Sequence, residues 1–393
     1  MKAKILVTGL VVATVAAVVL YPSLRGNAKG VPVPSVPAQT ARVDAVFVLD
    51  TTGSMSGLIA AAKEKIWSIA STLSQTQQAP EIRIGLVAYR DRGDAYVTKI
   101  VDLSSDLDSM YATLMDFSAD GGGDTPESVN QALYDAVNKM SWSKDSGAYK
   151  VVFLVGDAPP HMDYQDDHKF PEIMAAATAK GIVVNTIQCG NLHDTVAPWQ
   201  QIASLGGGRY FTVEQSGSAV AVATPYDEKI ATLAAQLDAT RLYYGSAAER
   251  KAMVGKVEAT DKVHEVASPA AQARRGVFNA STSGEANFVG DKDLVHDVAS
   301  GAVDLAAVPA ADLPEPLVSL SAAARQKVVA ETAERREALR AQIGDLAKER
   351  DAFIAKKVEE AGGAAGSLDQ QLYDAVRDQA APKGLKYEGG PKF

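Results

Sequence analysis

Val43-Asp44-Ala45-Val46-Phe47-Val48-Leu49 runs directly into Asp50-Thr51-Thr52-Gly53-Ser54-Met55-Ser56. The first stretch is short and rich in β-branched residues. It predicts a strand buried on both faces, hence central in a parallel sheet. Beyond Gly57, apolar residues at Ile59, Ala62, Ile66, Ile69 and Leu73 keep helical spacing. A strand, a hydroxyl-bearing turn and a helix therefore meet at the carboxyl edge of the sheet, where open α/β folds bind ligands. The turn offers one carboxylate, Asp50, and two neutral oxygens, Thr52 and Ser54. Such hard donors suit Mg²⁺, Ca²⁺ or Mn²⁺ better than zinc, which prefers His and Cys.

Two distant stretches complete the pattern. Gly121-Gly122-Gly123-Asp124-Thr125-Pro126-Glu127 reads as a flexible loop entering a helix, with Pro126 at the first helical position and Val129, Leu133, Ala136, Val137 and Met140 continuing it. Val151-Val152-Phe153-Leu154-Val155-Gly156-Asp157 is a second buried strand ending in a carboxylate. Taken together, these segments resemble the von Willebrand factor type A family and its metal ion-dependent adhesion site, whose pattern is Asp-x-Ser-x-Ser, a distant Thr and a distant Asp after a strand. Thr52 stands for the first Ser and keeps the hydroxyl; Thr125 and Asp157 match the distant pair. The resemblance implies that the Thr52, Ser54 and Thr125 hydroxyls ligate Mg²⁺ (or Ca²⁺ or Mn²⁺) directly, with Asp50 and Asp157 acting largely through waters. It also implies that a partner protein's Asp or Glu carboxylate completes the shell. Asp124 is expected to point away from the ion or to hold a water.

Two neighbouring stretches frame this site. Arg92-Gly93-Asp94 lies in what reads as a turn between adjacent strands, on the rim of the metal site. Asp157-Ala158-Pro159-Pro160-His161 and the residues through His168 lack helical His-Glu-x-x-His spacing, and Pro159-Pro160 holds His161 in a loop. Asp124, His161 and Arg92 are accordingly expected on a partner-binding rim.

Residues 41–222 alternate strands (43–49, 82–89, 96–102, 150–156, 182–188, 209–213) with helices (58–75, 104–118, 126–140, 170–180, 197–204, and one from 217). This predicts an α/β, doubly wound, mostly parallel sheet that folds alone. No Gly-x-Gly-x-x-Gly follows the first strand, and no P-loop signature is present. The 393 residues carry a formal net charge of −9, which argues against nucleic acid as a partner. The one cysteine, Cys189, lies within a strand pattern and cannot form an intrachain disulfide.

Ile5 to Tyr21 carries no charge and follows Lys2 and Lys4, so residues 1–21 read as a signal peptide or a retained membrane anchor, with the remainder exported. Residues 22–40 form a Pro-rich spacer. Export without disulfides is compatible with the periplasm or outer surface of a bacterium, where the protein is expected. Past Val222 the alternation stops. A mixed, mainly helical region is expected over 223–315, with a helix through Ile230, Leu233 and Leu237, a capping box at Ser246–Glu249, and a loop around the glycines and serines of 276–290. Residues 316–393 are expected to be helical with a loose tail. There, Leu339, Ile343, Leu346 and Phe353 share a stripe with Arg336 and Arg350, which favours a helix packed on its own domain over a coiled coil. The functional expectation is a divalent-cation-dependent, non-enzymatic binding module. A passive scaffold with a structural ion is the alternative, and a metal-dependent hydrolase using His161 a lesser one.

Overall fold

A computed structural model describes residues 41–391 apart from 124, 215–221, 361–362 and 364–365. The expected signal or anchor, the Pro-rich spacer, Asp124 and the start of the helix from 217 lie outside the described residues. No helix among them is long and apolar enough to cross a membrane.

Six strands, β1 (Arg42–Asp50), β2 (Glu81–Tyr89), β3 (Thr98–Ser104), β4 (Tyr149–Gly156), β5 (Ile182–Cys189) and β6 (Gly207–Val213), form one sheet in the order β3-β2-β1-β4-β5-β6. All neighbours are parallel except β2 and β3. The chain leaves β1 for β2 on one side and returns as β4 on the other, so the topological switch point falls at the end of β1, at Asp50.

Alternate residues of β1 face opposite layers, as strand geometry requires. Val46 and Val48 pack with helices α3 (Val129–Asn138), α4 (Phe170–Ala179) and α5 (His193–Leu205). Val43, Ala45, Phe47 and Leu49 pack with α1 (Ser56–Leu73) and α2 (Leu107–Met115). This second layer does not close with α1 and α2. It continues into α7 (Ala247–Val266), α8 (Pro269–Ala280) and α13 (Leu368–Ala380), through Val263, Phe278, Tyr373 and Val376. Residue 222 marks the end of strand–helix alternation; the packing runs on, and Ala41–Phe393 form one compact unit.

The remaining helices, α6 (Asp227–Asp238), the short α9 (Glu285–Val289), α10 (Leu294–Ala299) and α11 (Glu315–Val318), and α12 (Ala322–Glu360), build the rest. Ser246 and Glu249 make both halves of the expected capping box. Three expectations need correction. The helix expected from Pro126 begins at Val129, because the Glu127 N–H donates to Pro159 O at 3.0 Å instead of entering a helical turn. The 276–290 stretch is largely helical: Gly276 lies within α8, where an added Cβ would sit 2.7 Å from the Ala234 Cβ of α6. Its glycine serves close helix approach rather than a loop. Gly276→Val is expected to cost about 1–3 kcal/mol in denaturant unfolding, as overpacking does. The tail also docks: Leu385 and Tyr387 are buried, and Tyr387 Oη donates to Leu73 O at 3.2 Å. Arg336 and Arg350 of α12 are buried along with the apolar stripe they share. Arg336 Nη1 donates to Asp293 Oδ1 and Arg350 Nε to Asp227 Oδ1, both at 2.8 Å, so the helix packs on its own chain as expected.

Candidate metal centre at the sheet edge

Asp50 ends β1 opposite Tyr89 of β2, and the hydroxyl turn folds back onto it. Asp50 Oδ1 accepts from Thr52 N at 2.9 Å and Thr52 Oγ1 at 2.7 Å; the Thr52 and Ser54 hydroxyl oxygens lie 3.2 Å apart. The glycine loop closes over this turn. Gly53 N donates to Gly121 O and Asp120 N to Thr51 O, each at 3.1 Å. Buried Arg90 reinforces the junction, with Nε on Thr51 O at 3.1 Å and Nη2 on Ser118 O at 2.9 Å. On the other side, Thr195 Oγ1 donates to Asp157 O at 2.8 Å and Trp199 Nε1 to Ala158 O at 3.0 Å, which fixes the loop after β4.

These segments enclose a cleft of about 380 Å³ whose lining includes Thr52, Ser54, Thr125, Glu127, Asp157 and Leu192. Thr52, Ser54, Thr125 and Asp157 are thus brought together, with Asp50 beneath them. Asp50 is fully buried, and its Oδ2 has no hydrogen-bond partner among the described residues. Gly156 makes that position possible: a Cβ there would lie 3.0 Å from Asp50 Oδ2 and 2.4 Å from Tyr89 Oη. Burial pushes the Asp50 carboxyl up to about 7, helped by the nearby Asp157 charge against the Thr52 hydrogen bonds. No three His, Cys, Asp or Glu side chains converge as a metal site among the described residues. The donors are instead a mixed set of carboxylate and hydroxyl oxygens, one of them a buried orphan, and that set fits a hard divalent cation.

Of the three residues expected on the rim, His161 and Arg92 are described, and neither lines the cleft. His161 is only 3% exposed and does not line the cleft. Its Nδ1 meets Asp163 Oδ1 at 2.7 Å, its Nε2 lies 3.3 Å from Asp91 Oδ2, and its ring stacks on Tyr164 at 3.9 Å. With its N–H donating to Glu127 O at 3.1 Å, it braces the loop that carries Thr125. Arg92 pairs with Asp166 at 2.8 Å and lies over the Tyr164 ring, so it too is a strut outside the cleft. Asp94 accepts from Asp91 N and Gly122 N at 3.1 Å, so the Arg-Gly-Asp turn is held from within.

Two residues at the site are not legible in the sequence reading. Glu127 lines the cleft while 4% exposed, with Oε2 lacking a hydrogen-bond partner. Burial, then the Asp50, Asp91, Asp94 and Asp157 charges, push its carboxyl up to about 9. Reading 126–140 as a helix hides it, because an acid in a first helical turn is ordinary. Tyr89 passes for a core aromatic at the end of an apolar strand; only its register with Asp50 marks it.

A profile of the von Willebrand factor A domain family matches residues 44–215. An ariadne-like RING finger protein of Acanthamoeba polyphaga mimivirus is 25% identical over 198 residues, which is 46% of this chain and 19% of that protein. An alpha-protein kinase of Dictyostelium discoideum is 29% identical over 120 residues, 30% of this chain and 19% of that protein. The chain therefore spans well under two thirds of the length of the curated relatives it matches. Among solved structures, proximal thread matrix protein 1 from the mussel byssus, described with a zinc-occupied metal ion-dependent adhesion site, is 17% identical. It covers 46% of this chain and 43% of its own, with a TM-score of 0.37. The profile spans β1 to β6 and includes all three site segments, so residues 44–215 of this chain belong to the von Willebrand factor A domain family.

Proposed function

We propose that the chain is a divalent-cation-dependent protein-binding module and not an enzyme. Asp50, Thr52, Ser54, Thr125 and Asp157 would hold the ion, with Mg²⁺ favoured over Ca²⁺ or Mn²⁺. The observation that carries the reading is the buried orphan Asp50 Oδ2 beneath a cleft lined by hydroxyls. When bound, the ion supplies an electrophilic point at which an Asp or Glu carboxylate of a partner can replace water. The chain's own part is to hold the hydroxyls rigidly, through the Gly53–Gly121 and Thr51–Asp120 backbone bonds. A hydrolase reading is weakened by His161, which is buried against Asp91, Asp163 and Tyr164 away from the cleft.

One observation favours a second reading. Glu127 adds a buried carboxyl to the cleft, and an acid of the chain's own at the ion would compete with an incoming one. The ion would then be structural and the protein a scaffold. Export to a bacterial envelope, by an anchor or signal in residues 1–21, is part of the proposal. The test is a pull-down from envelope extract on immobilised full-length chain, with Mg²⁺ or with chelator. A partner retained only with Mg²⁺ is expected; retention unchanged by chelation, at a temperature where the fold persists, would support the scaffold instead.

A further inference from the structure

We propose that Tyr89 is the positioning residue of the cation site. With an ion bound, its phenol hydroxyl donates to Asp50 Oδ2 and fixes the plane of that carboxylate. This rests on the reading of the cleft as a cation centre and adds a residue outside the Asp50, Thr52, Ser54, Thr125 and Asp157 set.

Tyr89 is completely buried, and Tyr89 Oη has no hydrogen-bond partner among the described residues. A buried hydroxyl left unpaired is costly, and phenylalanine would fill the same space without that cost. The hydroxyl therefore calls for a use at this position. The complementary group lies beside it. Asp50 Oδ2 is a buried acceptor without a donor, while Asp50 Oδ1 is committed to two bonds from Thr52. Strand register pairs Tyr89 with Asp50, and both oxygens crowd the same side of Gly156, at 2.4 and 3.0 Å from where its Cβ would stand. An orphan donor and an orphan acceptor thus flank one glycine, the chain neighbour of cleft-lining Asp157. Rotation of either side chain about that glycine would bring donor and acceptor together beneath a bound cation. Outer groups of this kind orient a metal's ligands, and removing one commonly weakens metal affinity tenfold or more.

The test compares the full-length wild type with Tyr89→Phe, using Mg²⁺ alone as the probe, by calorimetric titration and by thermal unfolding in chelator. Tyr89→Phe is expected to bind Mg²⁺ about tenfold more weakly. In chelator it should melt at or above the wild-type temperature, since the lost hydroxyl had no protein partner. That opposition of sign separates positioning from packing: unchanged affinity, or a lower melting point in chelator with affinity intact, would overturn the proposal. A further background, Glu127→Gln, identifies the acceptor. The tenfold loss should persist there, and its disappearance would assign the phenol to Glu127 and sink the Asp50 pairing. Wild type that takes up no Mg²⁺ would remove the cation reading itself, a failure distinct from these.

Discussion

Arg275→Ala is expected to destabilise the protein by about 3–5 kcal/mol, the cost of removing one partner from a buried ion cluster. Arg275 is fully buried in α8 between two carboxylates. Its Nε and Nη2 donate to the Asp108 oxygens at 2.7 and 2.5 Å, and its Nη1 and Nη2 to the Asp238 oxygens at 2.7 and 3.2 Å. Thr260 Oγ1 and Asn287 Nδ2 add bonds to Asp108 at 2.9 and 3.2 Å, and His264 Nε2 lies 2.8 Å from Asp238 Oδ2. Asp108 belongs to α2 of the von Willebrand factor A domain; Asp238 and Arg275 come from the helices that follow it. Without the guanidinium, two like charges remain buried at the join. Denaturant unfolding of Arg275→Ala against wild type measures the cost, and a loss within about 0.5 kcal/mol, the range of an ordinary surface change, would refute the account.

The same cluster gives stability a pH dependence of definite sign. Burial alone would raise both carboxyls. The Arg275 charge and hydrogen bonds outweigh it, holding Asp108 well below the usual carboxylate range. At Asp238 the Arg275 charge and the His264 bond act the same way, bringing its carboxyl to about 2. A carboxyl whose folded value lies below its unfolded value, about 3.9, contributes stability that is complete above the unfolded value and lost as pH falls through the folded one. Acid unfolding of wild type should therefore steepen below about pH 4, and Arg275→Ala should show a shallower slope there.

The von Willebrand factor A domain is legible in the sequence because its elements announce themselves locally. Val43–Leu49 and Val151–Gly156 are strands that need burial on both faces, and they differ from the observed β1 and β4 by one or two residues at the ends. The hydroxyl turn could be placed because a strand end and a helix start bracket it. Three-dimensional coincidence is what the chain does not spell out. That Glu127 enters the cleft follows from its backbone bond to Pro159, a partner 32 positions away. Tyr89 matters only because β2 lies beside β1 in a register that sets it against Asp50. His161 looked available because loop residues usually are, and it is buried because Tyr164 and Asp91 close over it. In the carboxyl half, Gly276 reads as a breaker until Ala234 is seen against it. Arg336 and Arg350 likewise resemble interruptions of an apolar stripe until Asp293 and Asp227 are found facing them.

Asp157→Ala and Thr125→Ala are each expected to abolish divalent-cation binding while leaving the domain folded. Thr125 is exposed in the cleft lining, so its removal sacrifices little packing and should cost roughly what a surface change does, within about 0.5 kcal/mol. Asp157 is more buried, but the bond from Thr195 Oγ1 is accepted by its backbone oxygen and survives truncation. Truncation also removes a negative charge that works against the ionisation of buried Asp50, so the metal-free protein should lose little stability. A bound cation, by contrast, stabilises wild type by mass action, about 2.7 kcal/mol when free Mg²⁺ stands at a hundred times its dissociation constant. Chelation should therefore lower the wild-type melting temperature and leave both variants where they are. Titration calorimetry reads the loss of binding, and thermal unfolding with and without chelator reads the linked stability. The two readouts must agree: a variant that no longer takes up Mg²⁺ but still loses stability on chelation would have its ion elsewhere. Partner retention then separates clasp from scaffold. If either variant loses the ion yet holds the partner at wild-type affinity, the cation is structural, and the rest of the chain makes the contact.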